Sequence, residues 1–393
     1  MGMPRVLFSV TVAMTAQAFL RDQLAELANR GWDVHLACGD DPPGALARLA
    51  ALPGVTVHEL PMARPPRPIR DVASLARWNR LVGRLRPDIV VASTPKAGLL
   101  ATVAARLRRT PIRLCHIRGL RAEGLKGPLA AVSRASERFA IASATDVLVD
   151  SPSLHTALRE GGLLDQQTGI VLGAGSSCGV DTMWFQPPSP EQRAVARTAL
   201  GAADDDFVVG FLGRLAVDKG IRELIHAASA AHEVDPRIRL ALVGPVEDAT
   251  GLGPELRLVD EADWGAAPGA TDDPRSAYWA FDVLCLPSYR EGFPISPLEA
   301  QACGLPIITT DATGCIDSIE DGATGLIVPT RDAKALEDAI VVLASNPDEC
   351  ARMAPLARRR AVRLFDRTTV REGFVRYLES LAGASATREG EGR

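Results

Sequence analysis

Short apolar runs alternate with helix-length amphipathic stretches along nearly the whole chain, and this alternation most narrows what the chain can fold into. Segments 5–10, 34–37, 55–60, 89–92, 112–116, 147–149 and 170–172 read as short strands. Segments 19–29, 72–86, 98–109 and 130–143 carry apolar residues at three- and four-residue spacing, the period of a helix with one buried face. A proline-rich break follows at Gln186-Pro187-Pro188-Ser189-Pro190. The alternation then restarts, with strands expected at 207–212, 238–243, 283–286, 307–309 and 326–328 and helices at 219–233, 297–303, 333–345 and 348–365. Strands that are apolar throughout, separated by helices, predict α/β architecture with parallel sheets covered on both faces. With 393 residues there is room for two such domains. The expected division is 1–186, 187–366, and a last segment 367–393 that is a helix returning towards the first domain, followed by a frayed tail.

In an open parallel sheet, ligands bind at the carboxyl ends of the strands. Two carboxylates fall there in the second half. The run Arg290-Glu291-Gly292-Phe293-Pro294-Ile295-Ser296-Pro297-Leu298-Glu299-Ala300 follows the apolar strand at 283–286. It puts Glu291 on a strand-to-helix loop and Glu299 on the first helical turn. A purely structural account is also open. Ser296, Pro297 and Glu299 have the spacing of a capping box, in which Glu299 only satisfies the helix start. Upstream, Gly213-Arg214-Leu215-Ala216-Val217-Asp218-Lys219-Gly220 leaves another strand and opens a helix. Two cations five residues apart on such a loop suit a diphosphate, which needs N–H donors and mobile positive charge; two solvated loop cations are the plain alternative.

Together these motifs carry a resemblance. E-G-F-P-x4-E-A-x-A-x-G-x-P resembles the nucleotide-sugar site of the family-4 retaining glycosyltransferases, which have two Rossmann-like domains facing a central cleft, the GT-B fold. G-R-L-x-x-x-K-G is similar to that family's diphosphate clamp. The segments Ser151-Pro152-Ser153, 173–181, Val243-Gly244-Pro245 and 278–283 also look like family elements, so the resemblance covers most of the chain. Ser93-Thr94-Pro95-Lys96 and His116-Ile117-Arg118-Gly119-Leu120-Arg121 resemble the branch that builds bacterial polysaccharides and lipid-linked oligosaccharides.

The resemblance implies that Arg214 and Lys219 bind the donor diphosphate and stabilise the leaving group, and that Glu299 accepts hydrogen bonds from the ribose. It implies that Glu291, with Gly292 and Phe293, positions the donor sugar. Pro294 and Leu298 complete that loop, the base lies against loops at Gly244 and 264–269, and His116 of the facing domain lies near the sugar. Lys96, Arg118 and Arg121 are the expected acceptor contacts. The catalytic set is Glu291, His116, Arg214 and Lys219. The implied reaction moves a hexose-type sugar from a nucleotide-diphospho sugar, a UDP-sugar for choice, to a polysaccharide-precursor or lipid-linked acceptor, with retention, no metal and no cofactor. Two departures stand out. The loop after the first strand, Thr11-Val12-Ala13-Met14-Thr15, lacks the family's paired glycines, and Cys178 stands where this branch often has Asn.

Other readings remain: a small natural-product acceptor, a nucleotide-sugar 2-epimerase of the same broad fold, or a binding protein that keeps the fold without the chemistry. Asp204-Asp205-Asp206 and Asp272-Asp273 could suggest a metal but lie in polar turns. The seven cysteines show no C-x-x-C spacing, as expected of free thiols in a reducing cytoplasm. No apolar run reaches the length of a membrane helix.

Charge points to a further partner. Residues 61–140 hold 17 Lys and Arg against 4 Asp and Glu, while the whole chain is at −4. A basic segment on an acidic protein suggests an anionic partner. Aromatics are 5% of residues and are not interleaved with the basic ones, which argues against nucleic acid. A peripheral contact with an anionic membrane or a diphosphate-bearing acceptor is expected instead; the sequence leaves the oligomeric state open.

Overall fold

The structure is a computed structural model that describes residues 3–62, 68–125, 127–165, 167–247 and 249–391. The chain divides into two compact units, Met1–Cys178 with Thr369–Arg393, and Gly179–Thr368. Each is a six-stranded sheet in which every pairing is parallel.

In the first unit the strands are β1 (Arg5–Val12), β2 (Asp33–Gly39), β3 (Val55–Glu59), β4 (Ile89–Ser93), β5 (Ile112–Ile117) and β6 (Asp146–Val149), in the order β3-β2-β1-β4-β5-β6. The central strands are apolar on both faces because helices cover both. Alternate residues of β1 split accordingly. Val6, Phe8 and Val10 pack with Leu20, Leu24 and Leu27 and with Phe374, Val375 and Leu378 of the last helix, Arg367–Glu391. Leu7 packs on the opposite face with Trp78, Leu81 and Ala101. Trp78 is fully buried, its indole N–H directed at the Met62 sulfur at 3.4 Å.

The second unit holds β7 (Phe207–Leu212), β8 (Ile238–Val243), β9 (Gly265–Gly269), β10 (Val283–Leu286), β11 (Ile307–Thr310) and β12 (Gly325–Val328), in the order β12-β11-β10-β7-β8-β9. Its core joins Val209, Phe211, Leu240, Leu242, Val283 and Ile308 to Leu224, Ile225, Leu336 and Ile340 of the covering helices. The Pro-rich run 186–190 ends in a true capping box: Ser189 Oγ accepts from the Gln192 N–H at 3.2 Å, and the Gln192 side chain accepts from the Ser189 N–H at 2.9 Å.

Three local expectations change. No loop follows the first strand: β1 runs to Val12 and a helix, Ala13–Phe19, starts at once. Paired glycines have no task there, since no left-handed turn is needed. Residues 170–172 form only a bridge from Ile170 to Leu148 rather than a strand. Residues 265–269, expected in a loop, are the edge strand β9. Small residues there allow close approach, as at Gly265, where a Cβ would meet Val259 at 2.8 Å.

Candidate functional site

Strand order places the site in the second unit. β7 lies between β10 and β8, and its helix, Ile221–Val234, leads to β8, whereas the helix after β10, Ser296–Ala302, leads to β11. The chain reverses direction across the sheet between β7 and β10, and loops at such a switch point part to leave a crevice. The loops that leave these two strands are 213–220 and 287–295, the two that carry the sequence motifs.

Main-chain bonds join the loops. The Tyr289 N–H donates to the Asp218 carbonyl at 2.9 Å, and Leu215 N–H donates to Pro245 O at 2.9 Å, which ties in the loop after β8. Gly244 sits at that loop's start, its N–H donating to Gly269 O at 2.8 Å. Two glycines are required by the contact. Gly220 has φ +68°, and a Cβ there would run into the Pro287 carbonyl. Gly314 has φ +77°, and a Cβ would lie 2.6 Å from the carbonyl oxygens of both Glu291 and Gly292. A side chain at either position would push the loops apart.

This close approach brings Lys219 and Glu291 together. Lys219 Nζ donates to Glu291 Oε1 as an ion pair, and Ser288 Oγ donates to the same oxygen at 2.9 Å. Both charged side chains are 16% exposed, so they are mostly but not wholly shielded. Arg214 pairs with Glu247 and, unlike Lys219, is half exposed. Arg290 pairs with Asp218 at 3.4 Å. Tyr289 donates its hydroxyl to Glu223 at 2.7 Å, and the Arg331 guanidinium lies 4.3 Å from the Tyr289 ring centroid. Phe293 is buried against Phe365, with ring centroids 5.3 Å apart, and Leu298 is fully buried; Pro294 is buried too. These three anchor the loop, while Gly292 remains partly open.

Glu299 is not the helix cap that its spacing suggests. The N-cap is Ile295, with no side-chain cap bond, because the helix begins at Ser296, a residue earlier than a serine cap requires. The Glu299 carboxylate instead accepts from the Tyr278 hydroxyl at 2.7 Å. Burial pushes its carboxyl above the ordinary range, with the Tyr278 bond opposing. Burial and the neighbouring carboxylate also raise the Tyr278 phenol well above its usual value. Tyr278 lies 21 positions upstream, and no local spacing reveals the pair.

In the first unit, His116 lies at the end of β5. Its Nε2 lies 2.6 Å from Asp150 Oδ1, its Nδ1 lies 3.4 Å from Arg118 Nη2, and its ring stacks on Phe374 at 6.0 Å. Asp150 also accepts from Ser177 Oγ. Burial lowers the His116 pKa against the pull of Asp150, giving a neutral ring that donates from Nε2 and accepts at Nδ1. For Asp150, burial acts upward, but His116, Arg118 and Ser177 outweigh it and hold the carboxylate ionised. Asp150 is a partner of His116 that sequence reasoning does not reach unaided. Register reveals it: Ile117 pairs with Val149, and Asp150 is the next residue. Arg118 is the unusual member, because its Nε and Nη1 are buried without a hydrogen-bond partner. Its guanidinium lies over the Phe19 ring at 5.3 Å. Lys96 donates to Asp71 at 2.9 Å. The Arg121 side chain lies outside the described residues.

Cys38, Cys115, Cys285, Cys303, Cys315 and Cys350 are free thiols. Among the described residues no three His, Cys, Asp or Glu side chains are grouped to hold a metal. Asp273 caps the helix Pro274–Ala280 and pairs with Arg275, and Asp206 accepts from the Ala203 N–H at 2.7 Å.

The family model of the glycosyl transferases group 1 matches residues 192–360, and that of the glycosyl transferase 4-like domain matches residues 15–172. The chain is 32% identical to the capsular polysaccharide biosynthesis glycosyltransferase CapM of Staphylococcus aureus, over 86% of this chain and 88% of that one. It is 26% identical to the putative glycosyltransferase EpsD of Bacillus subtilis, over 94% of both. Among solved structures, Anabaena Alr3699/HepE in complex with UDP superposes with a TM-score of 0.78 at 21% identity, covering 96% of this chain and 100% of that one. Sucrose-phosphate synthase from Thermosynechococcus elongatus gives 0.77 at 21% identity, over 97% of this chain and 100% of that one. These likenesses are to GT-B structures and bear on fold.

Proposed function

The chain belongs to the group 1 glycosyl transferases, and from that premise we propose that it moves a hexose-type sugar from a UDP-sugar to a polysaccharide-precursor or lipid-linked acceptor, retaining anomeric configuration and using no metal. One observation carries the reading: the Lys219–Glu291 pair at the switch point of the second sheet, with Arg214 on the same loop as Lys219.

Breaking the bond from the sugar's anomeric carbon to the diphosphate leaves negative charge on the diphosphate oxygen. Preorganised cations beside that oxygen lower the barrier, because they need not reorganise as charge develops. Lys219 and Arg214 take this part. The diphosphate displaces Glu247 from Arg214 and shares Lys219 with Glu291. Glu291 then holds sugar hydroxyls alongside the Gly292 and Phe293 amides, with Pro294 and Leu298 keeping the loop in place. Glu299, fixed by Tyr278, accepts from the ribose hydroxyls, and the base rests by Gly244. The acceptor hydroxyl attacks on the face the diphosphate leaves and gives its proton to a departing oxygen, so no covalent enzyme intermediate is needed.

For the acceptor we assign Arg118, Lys96 and Arg121. The orphaned nitrogens of Arg118 support a phosphate-bearing acceptor, and His116, whose two nitrogens are engaged, positions Arg118 rather than transferring a proton itself. The part that CapM plays in capsular polysaccharide biosynthesis supports the acceptor class.

Incubation with radiolabelled UDP-glucose and UDP-N-acetylglucosamine, with and without polyprenyl-diphosphate sugars, tests the reading. Acceptor-dependent product with the donor's anomeric configuration is expected. Epimerised UDP-sugar formed without acceptor would replace this reading with an isomerase, and inversion would remove the retaining mechanism.

A further inference from the structure

The first unit has an open groove of about 660 Å³ between the edge strand β3 and the helix Pro68–Leu85. Val57, His58, Glu59 and Leu60 form one wall, and Arg77, Arg80, Leu81 and Arg84 the other. The three arginines recur at three and four residues, so one helix face carries them all. All three are exposed, and none has an ion pair or hydrogen bond among the described residues. Several other arginines of this protein are neutralised by carboxylates: Arg5 pairs with Asp33, Arg30 with Glu26, Glu372 and Glu379, and Arg193 with Asp282. A second cavity of about 620 Å³ adjoins the groove, sharing Glu59 and Arg77, and is lined by Asp40, Asp41 and Asp71. The trough is thus polarised, acidic near the carboxyl ends of β1 and β2 and cationic at Arg80 and Arg84.

We propose that the groove of Arg77, Arg80 and Arg84 is a binding site for a phosphate or diphosphate ester. Guanidinium groups match phosphate geometry with paired N–H donors, and a groove of this volume suits a small anionic head rather than a flat contact. Glu59 repels an anion from the acidic end, which leaves Arg80 and Arg84 as the principal donors. The site is built from residues of the first unit alone, and it does not depend on the assignment of Lys219 and Arg214.

The test uses the full chain carrying Lys219→Ala, so that the second unit's cations are weakened, and titrates inorganic pyrophosphate by calorimetry. Saturable binding is expected. Arg80→Ser with Arg84→Ser should weaken it about tenfold or more, because two guanidinium groups that donate charge-assisted hydrogen bonds are removed. Thermal melts of the same proteins should coincide, because both side chains are exposed. A second arm compares sedimentation with phosphatidylcholine vesicles with and without phosphatidic acid. Loss of both pyrophosphate and phosphatidic acid binding in the double variant assigns a lipid-borne phosphate; loss of pyrophosphate binding alone assigns a soluble ester. Pyrophosphate affinity unchanged by the double variant, whatever the vesicles do, would overturn the site.

Discussion

Lys219 and Glu291 show how two motifs 72 positions apart become one site: neither charge has its partner until β7 and β10 lie side by side. If Lys219 neutralises the leaving diphosphate, Lys219→Ala lowers kcat/KM by roughly 10²–10³-fold, the scale of losing one preorganised contact. Steady-state kinetics measure it, and near-normal turnover would remove the assignment. Glu299 offers a sharper separation. Its folded pKa is raised above the ordinary 4.5, so the native state binds more protons than the unfolded state just above that pH. Stability contributed by the protonated form is therefore present in acid and lost as pH rises through the folded value. Glu299→Gln keeps an acceptor for Tyr278 and removes this slope. The variant should melt at the same or a higher temperature than the parent at pH 7, with the gap closing towards pH 4, yet bind UDP more weakly. Unchanged UDP affinity by calorimetry would leave Glu299 with a structural task only.

At the scale of elements, helix starts with similar sequences behave differently. Ser189-Pro190-Glu191-Gln192 and Ser296-Pro297-Leu298-Glu299 share the Ser-x-x-Glu/Gln spacing, but only the first closes as a capping box. Ser189→Ala should cost about 1 kcal/mol, the usual worth of a cap, while Ser296→Ala should cost much less. Urea melts of the two variants decide it, and an equal loss would restore the capping account of Ser296. The difference is tertiary. Tyr278 binds Glu299 and Gly314 packs under the preceding loop, so the helix entry is fixed from outside and the carboxylate is drawn away from its own backbone.

For the whole molecule, the charge imbalance has a measurable consequence. The basic stretch 61–140 belongs entirely to the first unit. None of the described helices is long and apolar enough to cross a membrane. A peripheral contact held by charge would weaken as salt shortens the Debye length, which is about 8 Å at physiological ionic strength. Binding to vesicles containing anionic lipid should appear at low salt and fade as salt rises. Arg64→Ser, Arg67→Ser and Arg70→Ser together should reduce it and leave UDP affinity unchanged; the side chains of these three lie outside the described residues. Equal sedimentation with neutral and anionic vesicles would turn the acceptor assignment towards a soluble molecule.

Strand and helix alternation and the two loop motifs are legible in the sequence because each rests on local physics: apolar periodicity, and charges crowded on short loops. These determine two parallel α/β units and point to Arg214, Lys219, Glu291 and Glu299. What needs tertiary structure is every partner far along the chain. Asp150 behind His116, Tyr278 on Glu299, Ser288 on Glu291 and the unpaired nitrogens of Arg118 follow from which strands pair and what burial leaves unsatisfied. A spacing rule sees neighbours within a turn or a strand, so it reads Glu299 as a cap. Only the packed sheet, by desolvating that carboxylate and offering a single phenol in return, decides otherwise.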